Sequence, residues 1–134
     1  MDTPNESNDE LKKRLSADQY YVTQEAGTEP AFSGCYWDTK EEGVYHCVVC
    51  DIELFSSETK YDSGTGWPSF YEATESNKVR RVEDRSYGMV RTEALCNACG
   101  AHLGHIFSDG PPPSGERFCM NSASLRLQPK ADTD

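Results

Sequence analysis

The sequence predicts a mainly β protein of antiparallel sheets, arranged as a sandwich or a partly open barrel, with short helices at the N-terminus. Two observations carry the sheets. Short β-prone runs recur at Val44 to Val49, Lys78 to Arg85, Tyr87 to Leu95, Arg117 to Asn121 and Ser124 to Gln128, and their branched and aromatic residues fit a pleated surface. Between the runs lie two long loops bearing glycine and proline, Tyr61 to Phe70 and Phe107 to Gly115, where a rigid sheet usually carries its binding site. A third observation places the helices. Ser7 with Glu10 and Ser16 with Gln19 both fit a capping box, and Gly27 offers a C-terminal stop.

The 134 residues suit one domain, and an apolar content of 36% gives a modest core. We expect flexible tails at 1–7 and 129–134 and one domain at 8–128, with helices in about 8–27 and the β core in about 31–128. A net charge of −10 opposes nucleic-acid binding. The basic cluster Lys78, Arg80, Arg81 and Arg85 is interrupted by Glu83 and Asp84 and reads as a solvated hairpin face. Met1 to Glu10 lacks the features of a secretory signal, and no apolar run reaches membrane-spanning length. The expectation is a cytoplasmic monomer without a membrane partner.

Cysteine spacing separates structure from chemistry. Cys47 with Cys50 and Cys96 with Cys99 form two C-x-x-C pairs, each followed by a turn-like residue, Asp51 or Gly100. This pattern points to one structural zinc ion per chain held by four thiolates, which would staple the β core. A thioredoxin-like redox use of either pair would call for a βαβ pattern that is missing. His46 is a competing ligand or a strand residue beside one. Cys119 and Cys35 are then left as free thiols.

Three further segments stand out: Ser63-Gly64-Thr65-Gly66-Trp67-Pro68-Ser69-Phe70, His102-Leu103-Gly104-His105-Ile106-Phe107-Ser108-Asp109-Gly110-Pro111, and Arg117-Phe118-Cys119-Met120-Asn121-Ser122. With the cysteine pairs, and over about Tyr20 to Leu127, they resemble the B-type methionine sulfoxide reductases, which reduce the R epimer of methionine sulfoxide. The resemblance implies that Cys119 is the nucleophile, a role suited to a soft thiolate. It implies that His102 and His105 assist proton supply, that Asn121 orients or polarises the oxygen, and that Trp67 grips the substrate methyl. Arg117 would favour the thiolate from the same strand face, Asp109 would anchor its loop, and Phe107 and Phe118 would line the pocket. On the residues alone, Cys119 is as readily an inert buried cysteine, and Trp67 a core residue.

The chain departs from that pattern at Thr65. Many family members carry there a cysteine that resolves the sulfenic acid, and threonine forms no disulfide. The free thiol of Cys35 is the candidate replacement, with a small buried structural cysteine as the alternative. The implied cycle ends with reduction by thioredoxin or a similar dithiol, in the repair of oxidised proteins. The rival readings are a non-catalytic zinc module that uses the Trp67 loop for docking, and a redox-switched zinc protein.

Overall fold

The computed structural model describes residues 8–85 and 88–130. Two helices, α1 (Asn8–Arg14) and α2 (Ala17–Gln24), open the described residues. The Ser16 capping box forms in both directions, with Gln19 N–H on Ser16 Oγ at 3.1 Å and Ser16 N–H on Gln19 Oε1 at 2.8 Å. Ser7 lies outside the described residues. The helix ends differently from expectation: Ala26, not Gly27, takes the left-handed conformation, at φ 57°. Gly27 instead makes room, because a Cβ there would strike the Tyr21 ring.

Among the described residues nine strands follow: β1 (Gly43–Cys47), β2 (Glu53–Ser56), β3 (Lys60–Tyr61), β4 (Ser69–Phe70), β5 (Val79–Asp84), β6 (Arg91–Cys96), β7 (His102–Phe107), β8 (Arg117–Met120) and β9 (Leu125–Pro129). They form two antiparallel sheets, in the orders β2-β1-β9 and β3-β4-β8-β7-β6-β5. β9 reaches Pro129, opposite Gly43, and the Lys130 N–H donates to the Glu42 carbonyl at 2.9 Å. The turn expected near Ser86 falls partly on residues outside the described ones, and β6 begins only at Arg91.

Aromatic packing joins the sheets. Tyr45 of β1 and Phe55 of β2 meet Phe70 of β4 at ring distances of 5.2 and 4.5 Å, and Phe55 meets Phe118 of β8 at 5.7 Å. The period of two along β8 buries Phe118 and Met120 in this core and turns Arg117 and Cys119 to the opposite face of the large sheet. That outer face carries the site.

Candidate active site

A cavity of about 290 Å³ opens over the outer face of β7 and β8, lined by Cys119, Arg117, His105, Gly104, Phe107, Asn121, Trp67, Thr65, Thr28 and Arg91. Sheet register creates its floor, since His105 stands opposite Cys119 and Phe107 opposite Arg117. Gly104 permits this approach, because a Cβ there would collide with the Cys119 carbonyl.

The Cys119 thiol is pushed above its ordinary range by burial, while the Arg117 guanidinium and the Thr65 side chain act to pull it down. Arg117 is fixed from two sides. Its Nε and Nη2 donate to the two carboxylate oxygens of Asp109 at 2.9 and 3.1 Å, and its guanidinium lies 4.4 Å above the Phe107 ring. Asp109 lies off the cavity wall and holds Arg117 from the surface, as an anchor of its loop.

Trp67 stands half-buried above this floor. Its indole N–H donates to the Glu29 carbonyl at 2.9 Å. Glu29, itself buried, accepts the Ser122 and Ala123 N–H groups on its carboxylate at 2.8 and 2.9 Å. The Glu29 N–H in turn donates to Asn121 Oδ1 at 3.0 Å, and Asn121 Nδ2 donates to the Leu103 carbonyl at 3.1 Å. One of the two amide hydrogens of Asn121 is thus committed, and the other is available to a ligand.

Residues three positions apart share a face on a helix, whereas on a regular strand they point to opposite faces. A β-bulge changes this here: Leu95 pairs with His102 while Ala94 pairs with Gly104, so Leu103 is the extra residue and the His102 and His105 imidazoles fall on one side. The rings meet edge to face at 5.6 Å. Only His105 lines the cavity, with Nε2 at 2.7 Å from Asp84 Oδ2. His102 lies behind it, 4% exposed, with Nδ1 at 2.7 Å from Glu93 Oε2. Burial holds the His102 pKa below the ordinary imidazole value, although Glu93 opposes the shift.

Phe118 and Cys35 both lie outside the cavity. Phe118, expected to line the pocket, faces the core, because strand alternation turns it away from Cys119. Cys35 is exposed and lines a neighbouring groove with Glu29, Tyr36 and Ser122. Thr28 is common to that groove and the Cys119 cavity. Sequence reasoning passed over Thr28, Glu29, Asp84, Arg91 and Glu93, whose roles depend on long-range register that no local motif encodes.

At the far end of β6, the Sγ atoms of Cys47, Cys50, Cys96 and Cys99 lie within 4.8 Å of one another. The two turns are built alike. Asp51 and Gly100 take positive φ, 72° and 82°, and return their N–H groups to the Cys47 and Cys96 carbonyls at 2.8 and 2.7 Å. Sulfur separations of 3.7 Å (Cys47 to Cys99) and 3.6 Å (Cys50 to Cys96) fit a metal ion at the centre. A zinc tetrahedron with Zn–S near 2.3 Å requires edges of about 3.8 Å. His46 lies outside the cluster, its Nδ1 at 2.7 Å from the Asp51 carbonyl oxygen.

Comparison with known proteins defines the class first. A family model described as the SelR domain matches residues 15–129, and the chain belongs to that family. Among individual relatives it is similar to proteins named peptide methionine sulfoxide reductase MsrB from Escherichia coli strain K12 / DH10B and from Escherichia coli O157:H7 (strain EC4115 / EHEC). Each is 59% identical over 121 residues, covering 90% of this chain and 88% of the relative.

Proposed function

We propose that this chain is an oxidoreductase that reduces methionine-R-sulfoxide, free or in oxidised proteins, to methionine at Cys119. The supporting observation is the placement of one free thiol on a cavity floor between a fixed guanidinium and an imidazole, beneath a half-buried indole. The Cys119 thiolate attacks the sulfoxide sulfur while the oxygen takes up a proton. The oxygen ends on Cys119 as a sulfenic acid, and methionine leaves with its sulfur reduced. His105 is the proton source nearest the oxygen. His102, buried and held neutral, buttresses His105. The uncommitted Asn121 amide hydrogen meets the oxygen, and Trp67, with Phe107, receives the methyl group.

Recycling completes the cycle. The Cys35 thiolate attacks the sulfenic sulfur, the displaced hydroxide takes up a proton and departs as water, and the resulting disulfide is reduced by thioredoxin or a similar dithiol in the cytoplasm. The segment that carries Cys35 is held by a hydrogen bond from Tyr36 N–H to Ser122 Oγ at 3.1 Å. The four-cysteine cluster holds a structural zinc ion, which when bound cross-links the two turns and has no open position for substrate.

The test is turnover of both methionine sulfoxide epimers by the zinc-loaded protein. R-specific reduction should fall by at least about a thousandfold in Cys119→Ser, because a hydroxyl is a far weaker nucleophile toward sulfur. Cys35→Ser should release its first methionine at an unchanged rate and lose thioredoxin-supported recycling. Near-normal reduction by folded Cys119→Ser would overturn the assignment.

A further inference from the structure

Glu29 is buried, 7% exposed, and takes no part in the proposed chemistry, yet it is bonded to both groups that receive the sulfoxide. Its carbonyl accepts the Trp67 indole N–H at 2.9 Å, and its own N–H donates to Asn121 Oδ1 at 3.0 Å. Its carboxylate accepts the N–H groups of the two residues after Asn121, Ser122 at 2.8 Å and Ala123 at 2.9 Å. A second tie joins the same segment to the Trp67 loop, since the Phe32 N–H donates to the Gly66 carbonyl at 2.8 Å. Glycine is required at that approach, because a Cβ on Gly66 would strike Ala31 and the Phe32 ring. Trp67 and Asn121 line the Cys119 cavity, whereas Glu29 lies behind them.

We propose that Glu29 is a positioning residue that sets the preference for the R epimer, by deciding which polar atoms Trp67 and Asn121 present to the substrate. Sulfoxide epimers differ by an exchange of oxygen and methyl once the rest of the side chain and the line of attack are held. Selection therefore needs one place that accepts oxygen and refuses methyl, and another that does the reverse. An indole has a single donor. With that N–H committed to the Glu29 carbonyl, the Trp67 ring offers the substrate only carbon, and an oxygen placed there loses its hydrogen bonds with water and gains none. At Asn121 the pairing works the other way. The Glu29 N–H can meet only the amide oxygen, so the NH2 is left for the Leu103 carbonyl, at 3.1 Å, and for the cavity. A flipped amide would set its carbonyl oxygen against the sulfoxide oxygen. Glu29 thus removes the donor from the methyl side and the acceptor from the oxygen side, and its carboxylate, held by two successive N–H groups, keeps both bonds in register.

This inference rests on the proposed reductase reading. Zinc-loaded wild type and Glu29→Gln are each given the separated epimers of free methionine sulfoxide with a dithiol, and kcat/KM is measured for both, by single turnover where steady turnover is too slow. Glutamine keeps the length of the side chain, but its one oxygen serves only one of the two N–H groups, and its NH2 faces the other. The ratio of R to S reactivity should fall about tenfold, with R lowered and S unchanged or raised. The Trp67 indole N–H, assigned by NMR in a Trp37→Phe background, should exchange with solvent about tenfold faster. Glu29→Asp keeps a carboxylate but draws it back by one methylene. It should lower the ratio about threefold, and it carries the test if Glu29→Gln fails to melt cooperatively. An unchanged ratio in a folded variant, whether both epimers slow equally or neither does, overturns the proposal and leaves reductase activity standing. Indole exchange that does not change also overturns it, since the bond to Trp67 would then not depend on the carboxylate. Reduction of neither epimer by wild type would instead sink the proposed function, and this inference with it.

Discussion

His102 shows how one residue can carry both structure and chemistry. It is buried with Glu93 on one nitrogen, and its other nitrogen, Nε2, has no hydrogen-bond partner among the described residues. Desolvation outweighs the neighbouring carboxylate, so the folded pKa lies below the unfolded value, near 6.5. The sign of the linkage follows. The unfolded chain binds the proton more readily, so the stability that His102 contributes is present above about pH 6.5 and is lost as pH falls through the lower folded pKa. Acid also loosens a four-thiolate zinc site, which would affect wild type and variant alike. We therefore expect the melting-temperature gap between wild type and His102→Gln to narrow from pH 7.5 to pH 5. A gap that widens on acidification would mean that the imidazolium–Glu93 attraction dominates instead.

Among the elements, β8 divides its side chains between core and cavity. Phe118 points into the aromatic core and Cys119 into the cavity, while Phe107 of β7 lies beneath Arg117. Phe118→Ala should cost about 3–5 kcal/mol of stability, the usual range for a large aromatic truncated in a core. Phe107→Ala should leave stability nearly unchanged and raise KM several-fold, because it removes a cavity wall and the ring under the guanidinium. Urea denaturation and steady-state kinetics on the two variants separate these effects. If Phe118→Ala raised KM with no loss of stability, the orientation of β8 would be wrong. The motif around Cys119 was legible because Arg117 and Cys119 alternate with apolar neighbours at a strand's period. Other elements were hidden. The His-Leu-Gly-His segment has little β propensity, and its bulge at Leu103 comes from pairing with β6, which the segment itself does not encode. The two-residue strands β3 and β4 lie within or at the edge of what reads as a glycine loop. Phe118 was misassigned by proximity in sequence, although the period of two that turns Cys119 outward turns Phe118 inward.

In the whole molecule, the cysteine cluster is the joint between the two sheets. Cys47 and Cys50 belong to the turn from β1 to β2 in the small sheet, and Cys96 and Cys99 to the turn from β6 to β7 in the large one. The first turn also receives α1, since Arg14 donates to the Val48 and Val49 carbonyls at 3.4 and 3.0 Å. The second turn leads directly into His102, so an ion held by the cluster would fix the start of the strand that brings His105 to Cys119. A structural zinc site contributes on the order of 10–16 kcal/mol at neutral pH, comparable with the roughly 5–15 kcal/mol that stabilises a whole domain. Without the ion, four crowded sulfurs can relieve their repulsion only by keeping protons. Cys47, fully buried, is pushed well up by its cysteine neighbours and by burial. Zinc removal by a chelator should therefore collapse the cooperative melting transition and abolish reductase activity together, and Cys96→Ser should do the same without chelator. Zinc restored to the stripped protein should recover both. A stripped protein that kept its melting temperature would show that the aromatic contacts between the sheets suffice. One that stayed folded yet lost activity would assign the ion to positioning β7 rather than to holding the sheets together.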